Sequence, residues 1–296
     1  DNAVNNTAYG ISAMDAITTG DDNVAVGYFA ASNLTTGSSN VLIGKNAGDA
    51  LTTGIQNVAI GKDALGSEDA GRKSVAVGSF ALQAQNVDGD VYNVAVGHDA
   101  GKNVTTGTKN TIVGGLSGDA LTVGHGNTAM GYGALTTSVD GDNNTAIGHL
   151  ALEDYEDGDG NGYNTAVGSR SQLNATTGEF NTSLGGLSMG VGVTTGDYNV
   201  AVGYQAGQDL TSGSLNVSLG GFALANVTTG GSNVALGYGA MSSANSGESK
   251  NVAVGHLTLN LMDSGTDNFN TAVGCEAGKN VTTGTENTIV GGQAGD

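Results

Sequence analysis

One stretch, residues 23–40, decides the fold class of this chain: NVAVGYFAASNLTTGSSN. Its first five residues return along the whole sequence as Asn, Val or Thr, a mostly small residue, a mostly aliphatic residue and Gly. This phrase begins 17 times, and 11 of the 16 intervals between copies are 17 residues, the others being 18, 19 or 20. A fixed period of this length predicts a repeat architecture in which each unit stacks on the next. We number the positions of each unit from this asparagine, as position 1.

The individual positions are more regular than the spacing. Position 5 is Gly in all 17 copies, position 2 is Val or Thr in all 17, and position 1 is Asn in 16, with Ser74 as the exception. Position 8 is always Ala, Ser or Thr, and an aliphatic residue followed by Thr-Thr-Gly often closes the unit, as in residues 34–37. Each unit is therefore predicted to hold two short strands and two glycine corners.

Alternation within the phrase predicts a strand in which Val24 and Val26 point one way and Ala25 points the other, with Gly27 turning the chain. The whole chain is predicted to be all-β, a parallel β-solenoid of about 17 coils forming one continuous domain over residues 1–296. We read this domain as a fragment of a longer fibre. Stacked asparagines predict an amide ladder that runs from coil to coil.

A single coil cannot fold alone. Ordering its backbone costs about 1–2 kcal/mol per residue, and burying three or four Val, Ile or Leu side chains returns about 1.5–3 kcal/mol each. Ladders between coils and an apolar face shared with other copies of the chain would supply the rest, and a homotrimer is the preferred count. The apolar residues of position 9 favour such sharing, namely Leu65, Leu82, Leu135, Leu152, Leu224, Met241 and Leu259.

Charge and composition narrow the classes of partner. The chain has 9 Lys plus Arg against 28 Asp plus Glu, a formal charge of −19, which disfavours nucleic acid and anionic lipid surfaces. No apolar run approaches the roughly 18 residues of a membrane helix, so no membrane insertion is expected. Cys275 is the single cysteine and excludes an intrachain disulfide framework.

The phrases at residues 57–61 and 144–148, repeated beside Ala-Leu and Thr-Thr-Gly, resemble the repeat shafts of phage-type tail fibres. They are also similar to the β-roll heads of trimeric autotransporter adhesins. This resemblance implies an extracellular homotrimeric fibre that holds or forms a receptor-binding surface. The preferred interpretation is the shaft or receptor-facing part of a phage tail fibre, on the virion, that mediates host attachment. Its implied partners are copies of itself, other fibre or virion proteins and a host-surface receptor such as a glycan. A bacterial surface adhesin of the same architecture is the alternative.

The longest interval between copies contains a candidate cation site. Asp157, Asp159 and Asn161 alternate with glycines as in the first half of a calcium loop, where oxygen ligands wrap a hard cation. The acidic residue expected at the twelfth position is Gly168 instead, which argues against an EF-hand. A solvated acidic loop is the alternative, and the pairs Asp88/Asp90 and Asp140/Asp142 are weaker candidates because Asp-Gly is common in turns. Apart from Ca²⁺, no cofactor is expected.

Position 6 offers a candidate binding stripe. It holds three of the four histidines together with several tyrosines, which could stack sugars or contact a receptor; the alternative is a corner that tolerates many side chains. These residues are His98, His149, His256, Tyr28, Tyr132, Tyr204 and Tyr238.

Catalysis is not expected. Residues 186–190 match the nucleophile-elbow pattern, but Ser188 occupies the small-residue position of the repeat, which favours coincidence. The threonine columns motivate a third hypothesis, an ice-binding solenoid, although they are interrupted between residues 57 and 100 and between 127 and 160.

Overall fold

The computed structural model describes residues 3–156, 160–244 and 247–296. These residues contain short strands and turns and no helix, and no segment among them could cross a membrane as a helix. They divide into two compact units, whose described parts are residues 3–144 with 160, and residues 145–156 with 161–296 less 245–246. Each unit is described by itself below.

Every complete repeat contributes one three-residue strand at positions 2–4. In the first unit, two further two-residue strands, β5 and β7, pair with each other. The strands of the first unit are β1 Thr7–Tyr9, β2 Val24–Val26, β3 Val41–Ile43, β4 Val58–Ile60, β5 Gly71–Arg72, β6 Val75–Val77, β7 Gly89–Asp90, β8 Val94–Val96, β9 Thr111–Val113 and β10 Thr128–Met130. Those of the second are β11 Thr145–Ile147, β12 Thr165–Val167, β13 Thr182–Leu184, β14 Val200–Val202, β15 Val217–Leu219, β16 Val234–Leu236, β17 Val252–Val254, β18 Thr271–Val273 and β19 Thr288–Val290.

Successive repeats lie in register, which confirms the predicted parallel β-solenoid of about 17 coils. Within each unit, every position 2–4 strand pairs in parallel with the same positions of the next coil, as Ala25 does with Leu42. The same register holds in the second unit, where Ala235 pairs with Ala253. Insertions in the longer repeats leave this register intact, because β6 and β8 still pair position by position across a 19-residue interval.

The interior of each coil is narrow, and the strand contributes one side chain to it. Ala25 is fully buried, whereas Val24 and Val26 lie on the outer face of the strand and are only half-buried. The predicted alternation is therefore present, and the structure places the alanine side of the strand inward. The core consists of the position 3 residue, the small residue of position 8 and the larger residues of positions 9 and 12, such as Leu82 and Leu34.

The apolar residues of position 9 correct a second expectation. All seven that were expected to face another copy of the chain are at most 1 % exposed inside their own coil, so they cannot form a shared surface. They are Leu65, Leu82, Leu135, Leu152, Leu224, Met241 and Leu259.

Four positions of each coil have a positive φ. At position 5 the glycines have φ between 131° and 143°, and a Cβ on Gly27 would lie 2.4 Å from the carbonyl oxygen of Gly44 in the next coil. This close approach explains why position 5 never varies. Positions 7, 9 and the residue before each asparagine have φ between 47° and 69°, although most of them are not glycine. Left-handed backbone at an ordinary residue costs about 1–2 kcal/mol, which the hydrogen bonds between coils must offset.

The asparagine column forms the predicted ladder, with an additional bond. Asn40 Nδ2 donates to Asn23 Oδ1 at 3.0 Å and to the carbonyl oxygen of Gly54 at 2.9 Å. Its own Oδ1 accepts the backbone N–H of Asn57 at 3.0 Å. Most amides of this column likewise bond to the neighbouring coil and to the closing glycine of their own coil, whereas Asn233 Nδ2 donates to the carbonyl oxygen of Glu248.

Ser74 interrupts this ladder, and Gln85 fills the gap. Gln85 Nε2 donates to Ser74 Oγ at 2.9 Å and to Glu68 Oε2 at 2.9 Å, while its Oε1 accepts from Asn93 Nδ2 at 2.9 Å. Glu68 and Gln85 occupy position 12, where seven other coils have Leu or Val, and both are fully buried. The Glu68 carboxylate also accepts the backbone N–H of Gly71 at 2.7 Å. A polar chain thus replaces one apolar layer of the core.

Candidate functional site

The outer face of the strands presents an uncharged apolar surface in each unit. We call the side chains of positions 2 and 4 the outer aliphatic stripe; position 2 is Val or Thr, and position 4 is Val, Ile, Leu or Met except at Tyr9. Ile60 and Val96 in the first unit are each 37 % exposed, and Leu184 in the second is 48 % exposed. Because contiguous exposed apolar surface commonly marks an interaction site, the stripe is a candidate docking face.

Aromatic rings line the corner beside the strands in the second unit. Tyr204, Phe222, Tyr238 and His256 come from four successive coils at positions 6 and 7, and we call them the aromatic stripe. The Phe222 ring centroid lies 5.6 Å from that of Tyr204 and 5.6 Å from that of Tyr238. Tyr238 stacks on His256 with a centroid separation of 5.8 Å and an interplanar angle of 17°. Tyr204 and Tyr238 are more than half exposed, so their rings are available to a ligand.

A surface cavity of about 470 Å³ adjoins this stripe, and we call it the Tyr238 cavity. It spans the coils that begin at Asn199, Asn216, Asn233 and Asn251. Its lining comprises Gln208, Phe222, Ala225, Asn226, Tyr238, Gly239, Ser242, Ser243, Leu257 and Asn260. None of these side chains carries a charge.

Hydrogen bonds fix one polar group of the cavity. Asn260 is 8 % exposed, and its Nδ2 donates to Ser242 Oγ at 2.7 Å and to the carbonyl oxygen of Gly239 at 3.1 Å. The chain therefore holds this amide in one orientation, with Oδ1 as the atom that remains to accept a bond.

Of the three candidate calcium ligands, the structure describes one. Asp157 and Asp159 lie outside the described residues, and Asn161 is exposed and adjoins them in sequence. The described residues contain no group of three or more His, Cys, Asp or Glu side chains placed to hold a metal ion. Asp90 instead accepts from Lys73 Nζ at 2.6 Å.

The Asp140/Asp142 pair lines a small hollow of about 190 Å³ together with Val123 and His125. His125 is tied to the backbone, because its Nδ1 accepts the N–H of Thr108 at 2.9 Å and its own N–H donates to Asp142 Oδ1 at 2.5 Å. These hydrogen bonds join neighbouring coils, so the residues around the hollow have a structural role.

Two of the other sequence candidates have clear structural positions. The histidines and tyrosines of position 6 are exposed, as predicted for a stripe, and Phe222 of position 7 joins Tyr204 and Tyr238 within it. Ser188 is fully buried, and its Oγ donates to the carbonyl oxygen of Ala201 at 2.9 Å, which is a structural bond between coils.

Several carboxyl groups between coils have shifted pKa values. Burial raises the pKa of Asp119 above its ordinary 3.8, and the nearby Asp99 carboxylate adds to the rise. Burial likewise raises the pKa of Asp49, with Asp63 as a further contribution. A hydrogen bond from Lys73 lowers the pKa of the exposed Asp90 carboxyl. These groups lie in the first unit.

The sequence predicted the exposed residues of position 6, including Tyr238, but it did not predict Phe222 as part of the stripe or the cavity beside it. The tyrosines and histidines marked position 6, but the glycine at residue 239 gave no sign that it lines a cavity, since glycine occurs 52 times. Comparisons of the chain with protein-family models, with curated proteins and with solved structures return no match.

Proposed function

We propose that this chain is a shaft segment of a homotrimeric fibre, a phage tail fibre that contributes to host attachment on the outside of the particle. The observation that carries the proposal is the outer aliphatic stripe, since the strands place Val24 and Val26 outside the coil and leave them half-exposed. The resemblance of the repeat phrase to tail-fibre shafts supports the same function.

The chemistry of the stripe favours other copies of this chain as its occupants. It repeats once per coil, so a second copy in parallel carries the same apolar groups at the same spacing. Each strand that carries the stripe is only three residues long. Three copies that meet on a common axis could therefore bury their stripes against one another. Burial of apolar surface would supply the stabilisation that a narrow coil lacks.

Attachment in this proposal relies on repetition. Three chains present the same weak site three times, and linked sites raise the effective concentration of one another, so that avidity replaces a deep pocket. The negative net charge of −19 disfavours anionic lipid as the bound surface.

Sedimentation equilibrium of the purified chain tests the oligomer. We expect a mass three times that of the chain at micromolar concentration. A monomer at every concentration would contradict the proposal.

Two alternatives remain distinguishable by observation. A membrane-anchor domain encoded downstream in the same gene would favour a bacterial surface adhesin. The ice-binding hypothesis loses support because threonine hydroxyls are used between coils: Thr35 Oγ1 donates to the carbonyl oxygen of Thr52 at 3.1 Å, and Thr105 Oγ1 to that of Thr122 at 3.2 Å. Thermal hysteresis at high protein concentration would restore it.

A further inference from the structure

The Tyr238 cavity has a glycine in its lining at position 7, which carries a large side chain in the two neighbouring coils. Position 7 holds Phe222, Gly239 and Leu257 in three successive coils, and all three residues line the cavity. A Cβ on Gly239 would lie 2.7 Å from Leu257 Cδ2 and 3.5 Å from Ser242 Oγ, which shows how closely the walls approach. The cavity volume of about 470 Å³ falls within the usual range of ligand pockets, about 300–1,000 Å³.

One wall of this cavity is aromatic. Tyr238 is 56 % exposed, and its ring meets Phe222 at an interplanar angle of 69°. The stripe continues beyond the cavity to Tyr204 on one side and His256 on the other. An aromatic ring has a negative face, which attracts the partly positive C–H hydrogens on the apolar side of a sugar ring.

The remaining lining supplies neutral hydrogen-bonding groups. Within the described residues, the side-chain amides of Gln208 and Asn226 and the hydroxyl of Ser243 make no hydrogen bond, and Asn260 Oδ1 accepts none. Amides and hydroxyls both donate and accept, as sugar hydroxyls do. A charged ligand would find no counter-ion in this lining.

From these observations we propose that the Tyr238 cavity binds a neutral saccharide, with Tyr238 stacking on the sugar ring and the amides of Asn226 and Asn260 bonding its hydroxyls. This inference gives the ligand class of the attachment described above and therefore rests on the proposed function. The aromatic stripe runs across successive coils, so a linear oligosaccharide extending along Tyr204 and His256 would gain further contacts.

Saturation-transfer NMR with a defined set of probes tests the proposal. The set comprises the methyl glycosides of glucose, galactose, mannose and N-acetylglucosamine, together with cellotetraose, mannotetraose and chitotetraose; a neutral tetrapeptide serves as the comparison ligand. We expect transfer to at least one saccharide, with a tetrasaccharide binding more tightly than its monosaccharide. Absence of transfer to every saccharide, or transfer to the peptide alone, would overturn the proposal.

Variants then place the binding in the cavity. Tyr238→Ala removes the stacking ring, and Gly239→Asn adds a side chain to the lining by means of a residue that tolerates positive φ. Each is expected to weaken the best saccharide at least tenfold. Asn226→Ala, at an exposed position, tests the polar contacts without disturbing the core. Tyr28→Ala is the matched control, since Tyr28 has the same position and similar exposure but precedes Phe29 instead of glycine. Equal loss in this control, or no loss in any cavity variant, would overturn the assignment.

Sedimentation of the same samples separates the two proposals. A trimer that binds no saccharide overturns only the ligand assignment, and a saccharide-binding monomer overturns only the fibre.

Discussion

Leu42 occupies the space that a side chain at residue 48 would need, because a Cβ on Gly48 would lie 2.8 Å from Leu42 Cδ2. Eight coils divide this volume differently, with Ala at position 3 and a larger residue at position 9, as in Ala59 and Leu65. Position 3 and position 9 therefore share one volume inside the coil.

This sharing predicts strong coupling between the two sites. Leu42→Ala alone should cost about 2–5 kcal/mol through the cavity it leaves. Gly48→Leu alone should cost about 1–3 kcal/mol through overpacking, and the left-handed backbone adds about 1–2 kcal/mol. The double variant should recover most of the loss, because it reproduces the arrangement of Ala59 and Leu65. Urea unfolding measures the cycle, and additive losses would show that the volumes are independent.

The asparagine ladder predicts a large effect from one buried amide. Asn40→Ala leaves the Gly54 carbonyl and the Asn57 N–H without their side-chain partners, at about 1–3 kcal/mol for each unsatisfied group. Asn33→Ala is the comparison, since the Asn33 amide bonds at an exposed site. Thermal unfolding of the two variants should differ by several degrees, and equal melting temperatures would contradict the ladder's role.

The polar chain at Gln85 predicts a variant whose defect depends on pH. Gln85→Glu places a second carboxyl beside Glu68, where the wild-type amide donates at 2.9 Å. Like charges in a buried site disfavour the ionised form, so the pKa of the new carboxyl should rise. The stability lost at pH 7 should then be regained as pH falls through that raised pKa. Gln83→Glu, on the same coil and only half-buried, is the control, and a loss equal at pH 7 and pH 4 would contradict the mechanism.

The raised pKa of Asp119 predicts that removing its charge stabilises the fold. The folded state binds this proton more tightly than the unfolded chain, so the group contributes stability below about pH 3.8 that is lost as pH rises through the raised pKa. Asp119→Asn should therefore raise the melting temperature at pH 7, with little gain near pH 3.5. Asp90→Asn should not, because the hydrogen bond from Lys73 lowers the pKa of Asp90 and reverses the sign. A rise in both variants would point to net charge instead.

The outer aliphatic stripe predicts where a charge breaks the oligomer. Val96→Glu places a carboxylate in the stripe at a side chain that is 37 % exposed, so the isolated coil tolerates it while an apolar interface does not. Thr106→Glu adds the same charge to an exposed position of the same coil and is the control. Sedimentation should show dissociation of the first variant alone. A trimer that survives Val96→Glu would place the interface elsewhere.

The sequence predicted the fold because its period is a property of the backbone: a glycine every coil and a strand beside it leave few other arrangements. It did not predict which face of the strand points inward, since Val24, Ala25 and Val26 alternate equally well in either orientation. Packing decides this: the coil of Ala25 already holds Leu34 in its interior. The next coil, in contrast, accommodates Leu42 at position 3 because position 9 is Gly48. The sequence also did not predict which non-glycine residues have a left-handed backbone, since residues as different as Lys73 and Phe180 occupy these positions.

The substitution of Gln85 for a missing asparagine has a consequence for how such a chain changes over time. Its amide reaches the ladder from another position of the same coil, so a loss at one site can be repaired at a distance in sequence. Each coil also meets its neighbours through the same backbone groups. Recombination between homologous DNA segments could therefore delete or insert a whole coil and leave the backbone of both new neighbours fully hydrogen-bonded. The number of coils should then change more readily during evolution than the structure of a coil.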